Sequence, residues 1–192
     1  MRCLPVLLRA LRGVIAKLTL LRHAHAQRPE GRCIGQWEHP LSNRGFDEIR
    51  ALAQGWAGPL PRHIISSDIG RARETANTLA RLLGATEPLL DERLREISMG
   101  DWEGRAWDEI YAREAEEVDA WGDNWVSCGP PGGESAEQVA LRMQAVVSDS
   151  APGTLLISHR GALGILLCSR AGRPLTHALN YAFANAAPAS LD

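Results

Sequence analysis

The sequence predicts a layered α/β domain, and three observations carry that prediction. Short apolar runs alternate with longer segments of helical pattern, each run stops abruptly at polar residues, and small or capping residues punctuate the joints. The run Leu18-Thr19-Leu20-Leu21 reads as a buried strand delivering Arg22 and His23 at its C-terminal end. A helix is expected over Ser42–Trp56 with Ser42 as N-cap. His63–Asp68 is a second strand. It leads into a helix over Gly70–Leu83, which Asp68 is expected to cap and Gly84 to stop, with Arg71 and Arg73 in its first turn. Helices follow over Trp107–Val118 and Ser135–Ser148. Asp119–Glu134, rich in Gly and Pro, reads as a long loop placed to act as a lid. Thr154–Ile157 is a third strand that runs into Ser158-His159-Arg160-Gly161, and a last helix spans Gly161–Arg170. In such a fold ligands sit at the carboxyl ends of the strands, where three strands here end in polar groups.

The 192 residues, 45% hydrophobic, suit one domain with a sizeable core. A net charge of −2 argues against a nucleic-acid or anionic-membrane partner, which would call for clustered excess Lys and Arg, so any anion site is local. Cys3, Cys33, Cys128 and Cys168 are scattered and read as reduced thiols of a cytoplasmic protein. No stretch approaches the roughly 18 apolar residues of a membrane span. Residues 1–16 are set apart as an N-terminal extension, apolar but broken by Arg9 and Arg12, which makes a poor secretory signal. Val14 is an alternative start, and residues 17–192 form the domain proper.

The polar residues at the strand ends fit phosphoryl transfer, which needs a nucleophile, cations around the phosphoryl oxygens and an acid for the leaving group. His23 is the candidate nucleophile, since a neutral imidazole nitrogen can attack phosphorus and split one displacement into two. Arg22, Arg71 and His159 are candidate phosphate ligands. Amides at Gly70–Arg71 and Gly161–Ala162 open helices and favour an anion. Glu96 is the candidate acid, because the like charge of a neighbouring phosphate dianion favours a carboxyl group that keeps its proton. Glu103 is its rival.

At these residues the chain resembles the histidine phosphatase superfamily, also called phosphoglycerate mutase-like. The resemblance rests on Arg22-His23-Ala24, on Ser67-Asp68-Ile69-Gly70-Arg71-Ala72-Arg73-Glu74-Thr75-Ala76, and on Ser158-His159-Arg160-Gly161, in family order over residues 17 to about 185. It implies a three-layer domain with a mainly parallel central sheet and helices on both faces. It further implies His23 as nucleophile, Arg22, Arg71 and His159 on the phosphate, Glu96 as acid then base, and neither metal nor cofactor. Ala24 replaces the usual Gly, a change expected to leave its backbone amide available. His25 and Ala26 replace an acidic residue and Thr, and the family's phosphate-binding Asn has no clear counterpart in the loop that follows. The stretches around Gly31–Gly35 and Pro131–Ser135 are similar to the alpha-ribazole phosphatase branch. A substrate with a flat base would need an aromatic wall, for which Trp37, Trp121 and Trp125 are the candidates. Arg32 and Arg160 are further substrate-contact candidates.

The expected partner is a small phosphorylated molecule, with a homodimer as the allowed assembly. Phosphoglycerate mutase-type transfer and a non-catalytic phospholigand-binding module are the alternatives. Each histidine alone is more often structural than catalytic. His23-Ala24-His25 is formally an H-x-H metal pattern, but His39, His63, His159 and His177 show no paired ligand spacing. Cys3 and Arg9 have the C-x5-R spacing of cysteine phosphatases, but Pro5 and the lack of Gly spoil the anion cradle. The six tryptophans are mostly expected in packing.

Overall fold

A computed structural model describes residues 18–191. The extension at 1–16, with Cys3, Arg9 and the alternative start Val14, lies outside the described residues. Five strands, β1 (Leu18–Arg22), β2 (His63–Ser66), β3 (Leu89–Leu90), β4 (Thr154–Ser158) and β5 (Pro188–Leu191), form one sheet in the order β3-β2-β4-β1-β5. All neighbours are parallel except β5, which runs antiparallel to β1 at the edge. Among the described residues five α-helices complete the domain: α1 (Asn43–Gln54), α2 (Gly70–Leu83), α3 (Trp107–Asn124), α4 (Ala136–Asp149) and α5 (Arg160–Arg170).

Strand side chains alternate between two faces, and both faces are covered. Leu18, Leu20 and Leu156 join a core with Met143 of α4 and Leu163 and Leu166 of α5. Leu21, Leu155 and Ile157 point the other way, to Ile49 of α1 and Ala72, Ala76 and Leu79 of α2. The result is helix, sheet, helix. Leu20, Leu21, Leu155, Leu156 and Ile157 are fully buried, so cutting any one to Ala is expected to cost about 2–5 kcal/mol.

The ends of these elements aim the site. Ser42 caps α1 by accepting from the Gly45 amide at 3.1 Å. A Cβ at Gly45 would lie 2.2 Å from the His25 carbonyl oxygen, so only glycine lets α1 close on the segment after β1. Ser135 and Gln138 form a capping box at α4. Asp68 does not cap α2, contrary to expectation: Ile69 is the N-cap residue, and Asp68 pairs with Arg95, whose Nε lies 2.7 Å from its Oδ1. The guanidinium offers two well-placed donors, which outweighs a cap. The expected loop over Asp119–Glu134 is helical through Asn124, because α3 continues past a kink at Glu114. There the Glu114 carboxylate takes Trp102 Nε1 and Arg105 Nη2, each at 2.7 Å. Strands β3 and β5 escape the sequence pattern, being two and four residues long and lacking a buried apolar run. Among the described residues no helix is long and apolar enough to cross a membrane.

Candidate active site

The sheet order places β4 between β2 and β1, and this sets the centre of the site. His23 continues the β1–β4 ladder, its amide donating to the Ser158 carbonyl at 2.9 Å, while the Ser67 amide continues β2 onto Ile157 at 2.9 Å. His159, at the end of β4, therefore lies between the two. Its Nε2 is 2.9 Å from Ser67 Oγ, and its ring centroid is 5.1 Å from that of His23.

The His23 ring has a defined tautomer. Nδ1 lies 2.7 Å from the Ala24 carbonyl oxygen, which can only accept, so Nδ1 carries the proton and Nε2 keeps its lone pair. Burial, and then the positive charge of Arg71, push the His23 pKa down to about 3, which keeps the ring neutral near pH 7. His159 is also held well below its ordinary range by burial and Arg71, and its Nδ1 is buried without a partner. The Ala24 amide, expected to be available to a phosphate, instead donates to Thr75 Oγ1 at 3.0 Å. Thr75 in turn back-bonds to the Arg71 carbonyl at 2.7 Å, so α2 holds the segment after the nucleophile candidate.

Arg22, His23, Arg71, Glu96 and Arg160 all line one cleft of about 400 Å³. Arg71 is buried on the first turn of α2, and its guanidinium donates to the Gly35 and Trp37 carbonyls at 2.8 and 2.9 Å. Those bonds fix its plane. Arg22 donates to the Phe183 carbonyl at 2.9 Å, and its Nε is buried without a partner. Burial lowers the pKa of both arginines, yet a guanidinium stays charged.

Glu96 comes from the loop after Leu94 and lines the same cleft as His23. Its Oε1 accepts from the Ile97 and Ala162 amides at 3.0 and 2.8 Å, and Oε2 accepts from Gly161 at 3.1 Å. Three of the helix-start amides expected to bind an anion, those of Gly70, Gly161 and Ala162, are thus already taken by carboxylates. Glu96 sits on α5, and Glu38 sits on the Gly70 amide of α2 at 2.8 Å. Gly161 leaves room for this contact: a Cβ there would lie 2.6 Å from Glu96 Oε1, so the carboxylate would have to turn away. Oε2 accepts one amide and keeps a lone pair for a proton. The rival Glu103 is absent from the cleft wall, its Oε1 tying the Gln36 and Met99 amides at 3.0 and 2.8 Å.

The aromatic-wall expectation fails for all three candidates. Trp37 does not line the cleft, and its ring packs edge-on to His39 with centroids 4.6 Å apart. Trp121 stacks edge-on to Trp102 at 5.6 Å, and Trp125 packs against the α4–α5 core. Ring packing claims Trp121 and Trp125, both half-buried, while Trp37 stays exposed outside the cleft. Trp107 is the tryptophan that does line the cleft. Arg32 reaches the cleft with one nitrogen on the Gly104 carbonyl, while Arg73 turns back to the Asp68 carbonyl at 3.0 Å. His25 also lines the cleft, its Nδ1 2.8 Å from Ser42 Oγ. Cys33 is there too, but burial and Glu103 push its thiol up to about 12, so it offers no rival nucleophile. Among the described residues no three His, Cys, Asp or Glu side chains gather as a metal site.

Several site residues escaped sequence reading. Asn185 lines the cleft and donates to the His23 carbonyl at 2.8 Å. It arrives through Ala186, whose amide bonds the Arg22 carbonyl at 3.1 Å and whose φ of 48° is unusual for a residue with a side chain. His39 and Arg28 line the cleft as well. Behind it, Arg142 of α4 donates to the carbonyls of Arg93, Arg95 and Glu96 at 2.8, 2.7 and 3.0 Å and to Glu134 Oε1 at 2.8 Å, anchoring the loop that carries Glu96.

Residues 18–192 match the pattern of the histidine phosphatase superfamily, branch 1. The chain belongs to that superfamily. A probable phosphoglycerate mutase, GpmB, of Cronobacter sakazakii is 36% identical over 165 residues, covering 81% of this chain and 74% of that protein. Among solved structures, mycobacterial glucosyl-3-phosphoglycerate phosphatase Rv2419c superposes with a TM-score of 0.78 at 28% identity, covering 91% and 89% of the two chains. The alpha-ribazole phosphatase from Shigella flexneri gives a TM-score of 0.78 at 24% identity, with 92% and 90% covered, a likeness of fold. As a superfamily member the protein is an enzyme of the phosphatase or mutase kind, and its sheet with helices on both faces is the phosphoglycerate mutase-like fold.

Proposed function

We propose that the protein is a cytoplasmic phosphatase that hydrolyses a small phosphomonoester through phosphohistidine on His23. The observation that carries this reading is the His23 ring: proton on Nδ1, fixed by the Ala24 carbonyl, and a lone pair on Nε2 in a cleft walled by Arg22 and Arg71. Nε2 attacks phosphorus as the bond to the leaving oxygen breaks, and Glu96 gives its proton to that oxygen. Water then attacks the phosphohistidine, Glu96 takes its proton, and the phosphorus–nitrogen bond breaks to restore the ring. Arg22 and Arg71 hold the transferred group, while His159, fully buried with Nε2 on Ser67 Oγ and off the cleft wall, packs behind the His23 ring. The arginines supply the positive charge that a metal supplies elsewhere, so catalysis needs no metal.

Alpha-ribazole 5′-phosphate stays among the candidate substrates on the likeness of the 31–35 and 131–135 stretches, with Trp107 as the aromatic surface for its base. Phosphoglycerate mutase-type transfer is the second reading, favoured by the name of the 36%-identical relative. One experiment separates these. Phosphorylated metabolites including 3-phosphoglycerate and alpha-ribazole 5′-phosphate are offered with and without EDTA, and both phosphate release and 2-phosphoglycerate formation are followed. Phosphate release unaffected by EDTA is the expected result. Isomerisation faster than release makes the protein a mutase, and a metal-restored loss refutes the metal-free step.

A further inference from the structure

Two successive peptide planes follow the nucleophile candidate, and each is held at both ends. In the plane joining His23 to Ala24, the His23 carbonyl accepts from Asn185 Nδ2 at 2.8 Å and the Ala24 amide donates to Thr75 Oγ1 at 3.0 Å. In the plane joining Ala24 to His25, the Ala24 carbonyl accepts from His23 Nδ1 at 2.7 Å and the His25 amide donates to Glu48 Oε2 at 2.8 Å. The first plane ends on neutral groups. The second has a carboxylate behind it, delivered by α1, which Gly45 lets close on this segment. Glu48 is absent from the cleft wall, so it meets the His23 ring through the peptide and not directly. Its other oxygen takes Arg44 Nε at 2.9 Å, but that arginine side chain is 72% exposed and neutralises the carboxylate weakly. Glu48 also favours the charge on Arg22, although a guanidinium stays charged without such help.

Attack on phosphorus turns a neutral ring into a cation, since Nε2 shares its lone pair while Nδ1 keeps its hydrogen. In the free cleft, burial, Arg71, Arg22 and Arg28 disfavour positive charge on the His23 ring, and the Ala24 carbonyl favours it. The polarity of that carbonyl therefore matters to the step. A carboxylate that accepts from an amide N–H pushes electron density toward the oxygen of the same amide, and hydrogen bonds in series strengthen one another. We propose that Glu48 is a positioning residue for His23, acting across the peptide between Ala24 and His25 to hold and polarise the carbonyl that fixes the ring tautomer. The chain runs from carboxylate through peptide to Nδ1–H, and no proton moves along it. It strengthens as the ring becomes positive and relaxes when the phosphorus–nitrogen bond breaks, so it favours the transition state over the resting state. The catalytic consequence rests on the phosphatase reading, whereas the polarisation is read from the ring without turnover.

Two readouts on the whole protein test this. The Nδ1–H resonances of His23 are followed by NMR with isotope-labelled histidine and assigned by their loss in His23→Gln, and phosphoenzyme formation from phenyl phosphate is timed by rapid quench. Glu48→Gln discriminates, because its amide oxygen still accepts from the His25 amide but carries no charge. In that variant the Nδ1 proton is expected to move upfield from its wild-type position. Phosphoenzyme formation should slow about fivefold or more, with the half-saturating substrate concentration changed less than about twofold. Glu48→Ala, which removes the acceptor as well, should slow it further. A residue that merely satisfied the His25 amide would be replaced by Gln without effect, so an unmoved Nδ1 proton or an unchanged rate in Glu48→Gln overturns the proposal. Arg44→Gln serves if Glu48→Gln misfolds: a carboxylate freed of its arginine should move the proton downfield, and no movement overturns the polarisation. Absence of phosphoenzyme in the wild type, with the proton still moving in Glu48→Gln, overturns the phosphatase reading and leaves the polarisation standing.

Discussion

His23 and His159 arise from the same local design and end in different chemistry. Each follows a buried parallel strand, and the two strands are in register, with Arg22 opposite Ser158. β1 has β5 on its outer side, whereas β4 has β2, and this decides what each ring meets. His159 is fully buried with Nε2 on Ser67 Oγ. His23 keeps 8% exposure and turns Nδ1 back onto its own chain, which leaves Nε2 for the cleft. A shared motif therefore yields one ring set to react and one set to hold. The neighbouring strand makes the difference.

The largest effect expected from this contrast is at His23. Replacing it by Ala should lower kcat by roughly 10³-fold or more, as loss of a covalent nucleophile does. Steady-state hydrolysis of phenyl phosphate checks it, and near-normal turnover would make the two histidines equivalent. Next comes Glu96→Gln, which keeps an acceptor for the α5 amides but no proton to give. A loss of about 10²-fold or more is expected for an alkyl phosphate, and a smaller one for an aryl phosphate with a good leaving group. Equal losses would move the acid elsewhere.

The three central strands, the starts of most helices and the motif residues were legible because burial imposes period and the site sits at strand ends. Gly70–Leu83 came out with its boundaries intact, ended by Gly84 in the left-handed conformation at φ 64°. What was not legible depends on contacts distant in sequence. Asn185 and Ala186 sit in a stretch without periodicity, and their role comes from β5 pairing with β1. Arg142 looks like any helix arginine until α4 packs beneath the Glu96 loop. The tryptophans misled because a loop aromatic reads alike whether it lines a cleft or fills a core, and α3 carries Trp121 into packing.

A third test uses the neutrality of both rings. The folded-state pKa of His23, about 3, lies below the ordinary 6.5, and that of His159 is lowered in the same direction. Above 6.5 neither state binds the proton. As pH falls through 6.5 toward 3 the unfolded chain takes protons that the folded one refuses, so stability falls on acidification, by up to about 1.4 kcal/mol per pH unit for each ring. Urea midpoints between pH 7 and 4 should show that decline, and His23→Gln should flatten it in part. A flat wild-type profile would mean that the rings charge in place. The smallest effect expected is from Ser67→Ala, which removes the partner of His159 Nε2. A loss of about 1 kcal/mol in stability and only a few-fold in kcat is predicted by urea melts and kinetics, because Ser67 acts through His159.

The central claim is that His23, and not His159, carries the phosphoryl group. Labelled substrate, mixed with enzyme and quenched rapidly in alkaline denaturant, tests it directly, with the labelled residue located by peptide mapping. The account predicts a label that survives base, is lost in acid, maps to His23 and is absent in His23→Ala. A label on another residue, or full turnover with no trapped phosphoprotein, would contradict it.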